Sequence, residues 1–133
     1  NFMDANPEIG VGYCDSEMWA GDRVLGVQRS RDMDEAILSG NFIDLGESMY
    51  RVETFEKHGL YDDDLPGCGD DWAQNEKLFK RGVKFGHYPY ALCKYYQHAG
   101  QTTHYAGHQH VLGIIRERIS SGYYLADEHK VLL

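Results

Sequence analysis

The stretch from Leu60 to Gly82, LYDDDLPGCGDDWAQNEKLFKRG, decides how the rest of the chain is read. It gathers Asp62, Asp63, Asp64, Asp70 and Asp71 in a loop broken by Pro66, Gly67 and Gly69, and then passes into a helical pattern. Carboxylates crowded at a loop-to-helix junction repel one another, so the arrangement is costly unless solvent, a cation or a helix N-terminus offsets it. The junction is therefore the first candidate for a site. Asp71 and Gln74 have the spacing of a capping box, in which both side chains satisfy backbone amides at the helix start. Between Trp72 and Phe79 apolar and polar residues divide at roughly helical period, and Gly82 supplies a C-terminal stop.

Outward from this stretch, composition bounds the class. A chain of 133 residues with a formal charge of -8 suits one compact domain and argues against nucleic acid as a direct partner. Cys14, Cys68 and Cys93 are odd in number and never spaced as CxxC, which argues against a disulfide framework or zinc knuckle and for a reducing, cytoplasmic compartment. No apolar run approaches the ~18 residues needed to span a bilayer, and the start shows no signal-peptide pattern. The sequence begins at Asn1 rather than at a methionine, as a piece of a longer protein does.

The remaining elements follow from periodicity and breakers. Residues 1–6 read as the end of a helix halted before Pro7, Glu8–Cys14 as a strand, and Arg23–Gln28 as a second strand after the turn Ala20-Gly21-Asp22. Asp32–Leu38 reads as a short helix with an acidic first turn, Asn41–Tyr50 as strand-like at first with a bend at Gly46, and Arg51–His58 as a helix ended by Gly59. Val83–Tyr96 is extended and aromatic, with Pro89 splitting it or marking an edge, and Tyr105–Ile119 is a last helix. Strands alternating with helices specify an α/β domain.

In this order the elements resemble the C-terminal half of the catalytic domain of family 2 glycosyltransferases, which have the GT-A fold. The resemblance rests on Arg51, on Phe55-Glu56-Lys57-His58-Gly59-Leu60-Tyr61-Asp62, on Asp70-Asp71-Trp72, on Gly82-Val83-Lys84-Phe85 and on His98. It covers about half of the chain directly, and NPEIGVGYCD near the start is similar to the strand that follows the family's nucleotide-binding half. The family's usual Glu-Asp pair is Asp70-Asp71 here, and Lys77 replaces an arginine, which removes any bidentate carboxylate contact at that position. A metal-binding DxD has no clear counterpart. Asp32-Met33-Asp34 has the letters but opens a helix, and Asp15-Ser16-Glu17 ends a strand but lies too near Asp71 in sequence; both read as structural.

The resemblance implies a mixed sheet with flanking helices, forming residues 1–133 into a single, partial GT-A domain that lacks the nucleotide-binding half. It implies inverting transfer from a nucleotide sugar to a carbohydrate or lipid acceptor, with Asp71 as base, Asp70 orienting the acceptor or the base, and His98 among the ligands of Mn²⁺ or Mg²⁺. Gly46 with its neighbours Leu45 and Glu47 matches a substrate-binding loop, the alternative being an ordinary strand bend. Arg51 and Trp72 complete the substrate-binding set, with Trp72 either stacking on a sugar or filling the core. Without the DxD half the isolated chain is expected to show little activity, and the exposed sheet edge and apolar surface favour a homo-oligomer. Any membrane association is then peripheral and made through parts outside this sequence.

Other readings come from other classes. The half-domain can stand alone as a non-catalytic carbohydrate-binding or self-associating module. His98, His104, His108 and His110 raise an independent transition-metal site, with His104 and His108 sharing a helical face if the last helix starts early. Asp62, Asp64 and Gly67 partly mimic a calcium loop, but Pro66 takes a ligand position and Ala73 stands where the terminal Glu belongs.

Overall fold

The strand expected at Glu8–Cys14 begins later and runs further. In the computed structural model of the chain, which describes residues 1–43, 45–65, 68–100 and 107–125, strand β1 spans Val11–Ala20. It pairs antiparallel with β2 (Arg23–Gln28) through Ser16–Ala20, and antiparallel with β3 (Ser48–Tyr50) through Val11–Tyr13. It pairs parallel with β4 (Phe85–Tyr96) along Val11–Trp19. β4 occupies one edge of β1 along most of its length, so β2 and β3 divide the other. The result is the expected α/β architecture on a four-stranded mixed sheet.

Local sequence explains the connections. Gly21, at φ 59°, lets the two-residue Gly21-Asp22 turn close β1 onto β2 with Ala20 opposite Arg23. Pro89 does not split the last extended segment; β4 is continuous and absorbs the proline in a bulge, where Cys14 faces Tyr88 but Asp15 faces Ala91. Proline is tolerated there because β4 pairs only with β1 among the described strands. The strand-like start expected at Asn41 is not a strand: residues Leu45–Glu47 form a 3-10 turn and pairing begins at Ser48. Asp32–Leu38 likewise shrinks to a 3-10 turn, Glu35–Leu38, capped by Asp34 Oδ1, which accepts from the Ala36 amide at 2.8 Å.

Four α-helices accompany the sheet among the described residues: α1 (Phe2–Ala5), α2 (Val52–His58), α3 (Asp70–Lys80) and α4 (His108–Ser120). Residues 105–106 of the expected last helix lie outside the described residues. The principal apolar core forms where α3 and α4 meet, from Ile37, Trp72, Val111, Ile115 and Tyr124. β2, by contrast, is exposed along its whole length.

A second contact fixes α1 on the sheet. Gly12 and Gly86 are register partners, so their missing side chains open a groove on one face of β1 and β4. Met3 and Phe2 fill it at Gly12, and Ile9 and Phe2 fill it at Gly86. Arg51 closes the arrangement: Nε donates to Ile9 O at 2.6 Å, and Nη2 donates to Met3 O at 2.6 Å and Asn6 O at 3.2 Å. Arg51, expected to bind substrate, is thus engaged with backbone carbonyls. Its guanidinium gathers the carbonyls at the C-terminal end of α1, where a cation also complements the helix dipole. Arg51→Ala should lower unfolding free energy by on the order of 3 kcal/mol in urea titrations. Arg51→Lys should recover only part, because an ammonium cannot reproduce the planar fork.

Candidate functional site

Helix α3 begins on a glycine rather than on a capping box. Gly69 holds the cap position at φ 77°, in the left-handed region that favours glycine. A Cβ there would meet Ile115 Cδ1 at 2.9 Å and Val111 Cγ1 at 3.3 Å, so the close approach of α4 also demands its absence. The Asp71–Gln74 capping box is accordingly corrected. Gln74 is buried, and its Nε2 donates to Gly59 O at 3.3 Å instead of reaching back to the helix start. Asp70 and Asp71 both sit in the first turn, where the helix N-terminus attracts negative charge.

Asp71 is half-buried and held from two sides. Its Oδ1 accepts from the Trp72 amide at 2.9 Å and its Oδ2 from Asn41 Nδ2 at 3.1 Å. Asp70 is exposed. Tyr61 lies beside the pair: burial, and then the charges of Asp70 and Asp71, push its phenol above the ordinary value, against a lowering hydrogen bond with Tyr50. Tyr50 in turn donates to Asn75 Oδ1 at 2.7 Å. Asn41, Tyr50 and Tyr61 thus join Asp70 and Asp71 at one locus. Tyr61 was visible only as an aromatic before an acidic run, and Asn41 only as a polar residue opening an extended stretch.

The other predicted site residues lie elsewhere. Trp72 is 2% exposed and belongs to the core, its Nε1 donating to Ile37 O at 2.7 Å and Glu76 Oε1 at 3.0 Å. Of the two readings of Trp72, its burial fits core packing. Gly46 and Glu47 line a cavity of about 450 Å³ together with Phe2, Met3, Tyr88 and Cys93, and the described lining does not include Asp70, Asp71 or His98. Glu47 is buried and accepts from Ser16 Oγ. His98 is exposed beyond β4, and its Nδ1 accepts from the Gly100 amide at 3.2 Å.

Of the wider histidine group, His104 lies outside the described residues, His108 Nδ1 sits 3.4 Å from Cys68 Sγ, and His110 is exposed. Among the described residues no three His, Cys, Asp or Glu side chains gather about one point. Asp15 is mid-strand rather than at a strand end: it is buried, and its Oδ1 meets the Ser30 amide and His87 Nε2, each at 2.8 Å.

The acidic loop finds its cation within the fold. Arg118 of α4 donates from Nη1 to Asp62 Oδ2 at 2.8 Å and from Nη2 to Asp64 Oδ2 at 2.6 Å, and Tyr124 OH donates to Asp62 Oδ2 at 3.0 Å. These carboxylates hold the guanidinium above its ordinary value, against the opposing effect of burial. The first two acidic positions of the apparent calcium loop are therefore bound to an arginine.

Polar burial continues along α3. Lys77 donates to Leu60 O, and burial pulls its ammonium below the ordinary value. Burial likewise pushes the Glu76 carboxyl from 4.5 to about 8, against the Trp72 indole and Lys80, which lower it. Gln74 Oε1, Asn75 Nδ2 and Glu76 Oε2 are buried with no hydrogen-bond partner among the described residues.

A scan of the sequence against models of known protein families gives no match, and a comparison with curated proteins gives none either. The chain contains no helix, among the described residues, long and apolar enough to cross a membrane.

Three outcomes follow from this electrostatic arrangement. Because the Asp62 and Arg118 side chains are 5% and 14% exposed, Arg118→Ala leaves a buried carboxylate without its ion-pair partner and should cost about 3–5 kcal/mol in urea unfolding. Asp64→Asn, whose side chain is 57% exposed, should cost under about 1 kcal/mol. Folded Glu76 keeps a proton that the unfolded chain releases above pH 4.5, so its contribution is full below that pH and is lost as pH rises through about 8. The slope of unfolding free energy between pH 5 and 8 should become less negative in Glu76→Gln, by at most about 1.4 kcal/mol per pH unit.

Proposed function

We propose that this chain carries the acceptor side of a glycosyltransferase site, with Asp71 as the base that deprotonates the acceptor hydroxyl. The observation that carries the reading is the placement of Asp71: in the first turn of α3, half-buried, and braced by Asn41 and by its own helix backbone. A base must be held within hydrogen-bond reach of the proton it takes, and a half-buried carboxylate braced at the start of a helix supports that role. The ordered sequence features from Arg51 to His98 support the same reading.

In the proposed reaction the acceptor oxygen attacks the anomeric carbon of a nucleotide sugar, the bond to the nucleotide diphosphate breaks, and the hydroxyl proton passes to Asp71. A carboxylate is a weak base, so the proton moves late, after the attacking oxygen has begun to bond to carbon and become acidic. Asp70, exposed beside it, orients a carbohydrate or lipid acceptor. Arg51 and Trp72 act only by holding the helices that present the pair.

A bound Mn²⁺ or Mg²⁺ would stabilise the departing diphosphate. Of the described residues His98 alone is proposed as a ligand, and one imidazole does not make a cation site; no step here passes through the metal. The nucleotide-binding half is proposed to come from sequence other than these 133 residues.

The test is sugar transfer from UDP-sugars and GDP-sugars, with Mn²⁺, to a panel of oligosaccharide and lipid-linked acceptors, by these residues joined to a nucleotide-binding half. Asp71→Asn should lower turnover on the order of 10²–10⁴-fold while leaving acceptor KM within a few-fold. Turnover in Asp71→Asn within a few-fold of the original would remove Asp71 from the chemistry. A chain that binds oligosaccharide, transfers nothing and binds equally well as Asp71→Asn would instead be a carbohydrate-binding module.

A further inference from the structure

Cys14 and Cys93, 79 positions apart in sequence, meet with their sulfurs 3.4 Å apart. The bulge in β4 brings them together. From Tyr88, opposite Cys14, an unbroken parallel register would set Cys93 opposite Trp19, on the other face of the sheet from Cys14. Instead β4 spends five steps, Tyr88 to Cys93, where β1 spends two, Cys14 to Ser16. Cys93 then stands opposite Ser16, on the face that Cys14 shares. Both thiols line the cavity of about 450 Å³, and Cys93 also donates to Gly46 O at 3.3 Å, on the turn that carries Glu47.

We propose that Cys14 and Cys93 are a reversible thiol–disulfide pair, oxidised by a low-molecular-weight disulfide such as oxidised glutathione, and that the bond covalently controls the Gly46–Glu47 wall of the cavity. The geometry fixes the order of events. Cys93 is half-buried on an edge strand whereas Cys14 is buried, so the Cys93 thiolate attacks the small disulfide first and releases one thiol. Cys14 then attacks Cys93 Sγ and releases the second. Two protein thiols lose two electrons and two protons, and the small disulfide is reduced to two thiols.

The new bond removes the Cys93 donor from Gly46 O and pins β4 to β1 across the bulge. Ring closure is the slow step, because burial, and then Cys93, push the Cys14 thiol up to about 11. The inference rests on the thiol geometry alone and stands whether or not the chain transfers sugars.

The chain is incubated with oxidised glutathione at graded ratios and pH values, quenched in acid, alkylated with N-ethylmaleimide and mapped by peptide mass. The expected result is a Cys14–Cys93 cross-link, reversed by dithiothreitol, with Cys68 alkylated and closure accelerating about tenfold per pH unit from pH 7 to 9. Cys14→Ser should stop at a stable Cys93–glutathione mixed disulfide, and Cys93→Ser should leave Cys14 alkylated. A Cys93–glutathione adduct that persists in the unaltered chain, a cross-link through Cys68, or no oxidation of either thiol would overturn the proposal. Mapping of the unaltered chain, with Cys93→Ser, decides the matter even if Cys14→Ser does not fold.

Discussion

A helix buried on every side must find a partner inside the protein for each polar group it carries. The residues of α3 from Trp72 to Leu78 are all buried, and four of them in a row, Gln74 to Lys77, are polar. Each such group is costly unless hydrogen-bonded, so its partner becomes part of what fixes the fold. Those partners arrive from every direction: Ile37 O from the 3-10 turn, Tyr50 OH from β3, and Gly59 O and Leu60 O from the segment after α2. α3 therefore joins the sheet, the turn and the acidic loop. The three polar atoms without a partner among the described residues, and the raised Glu76 carboxyl, mark where this satisfaction is incomplete.

The same constraint shapes the charge distribution at the head of the helix. Of the five clustered aspartates, Asp62 is drawn inward onto Arg118 and Tyr124, and Asp64 follows it on the same guanidinium. That pairing offsets the repulsion that makes an acidic junction expensive. Asp70 and Asp71 are placed differently, on the first turn of α3, where backbone amides and Asn41 face them. One run of like charges is thus divided into a structural part, neutralised by α4, and a part that stays at the surface.

Much of this was legible in the sequence, because periodicity and breakers report local structure directly. The strand Arg23–Gln28, the helix ended by Gly59, the helix ended by Gly82 and the late helix follow from such signals. What was misread depended on tertiary contact. The capping box failed because the helix starts earlier, with Gly69 at the cap and Asp71 inside the first turn, and because Gln74 turns to Gly59 O. The amphipathic reading of α3 failed because Asn75 and Glu76, the polar residues of that pattern, are buried with the apolar ones. β1 was cut short at Cys14 because Asp15 and Ser16 read as a strand end, whereas both are buried and bonded.

The candidate site separates along the same line. Arg51 and Trp72 belong to the motif that carries the resemblance, yet each is committed to holding other parts of the fold, Arg51 to three carbonyls and Trp72 to the core. Asp70, Asp71 and His98 belong to the same motif and remain at or near the surface. An ordered motif therefore records two demands at once: residues that build the α3 junction and residues that the junction presents. Sequence spacing alone cannot divide them, since both kinds recur at fixed positions for physical reasons. Burial does separate Trp72, which is enclosed in the core, from Asp70, which is exposed beside the half-buried and braced Asp71.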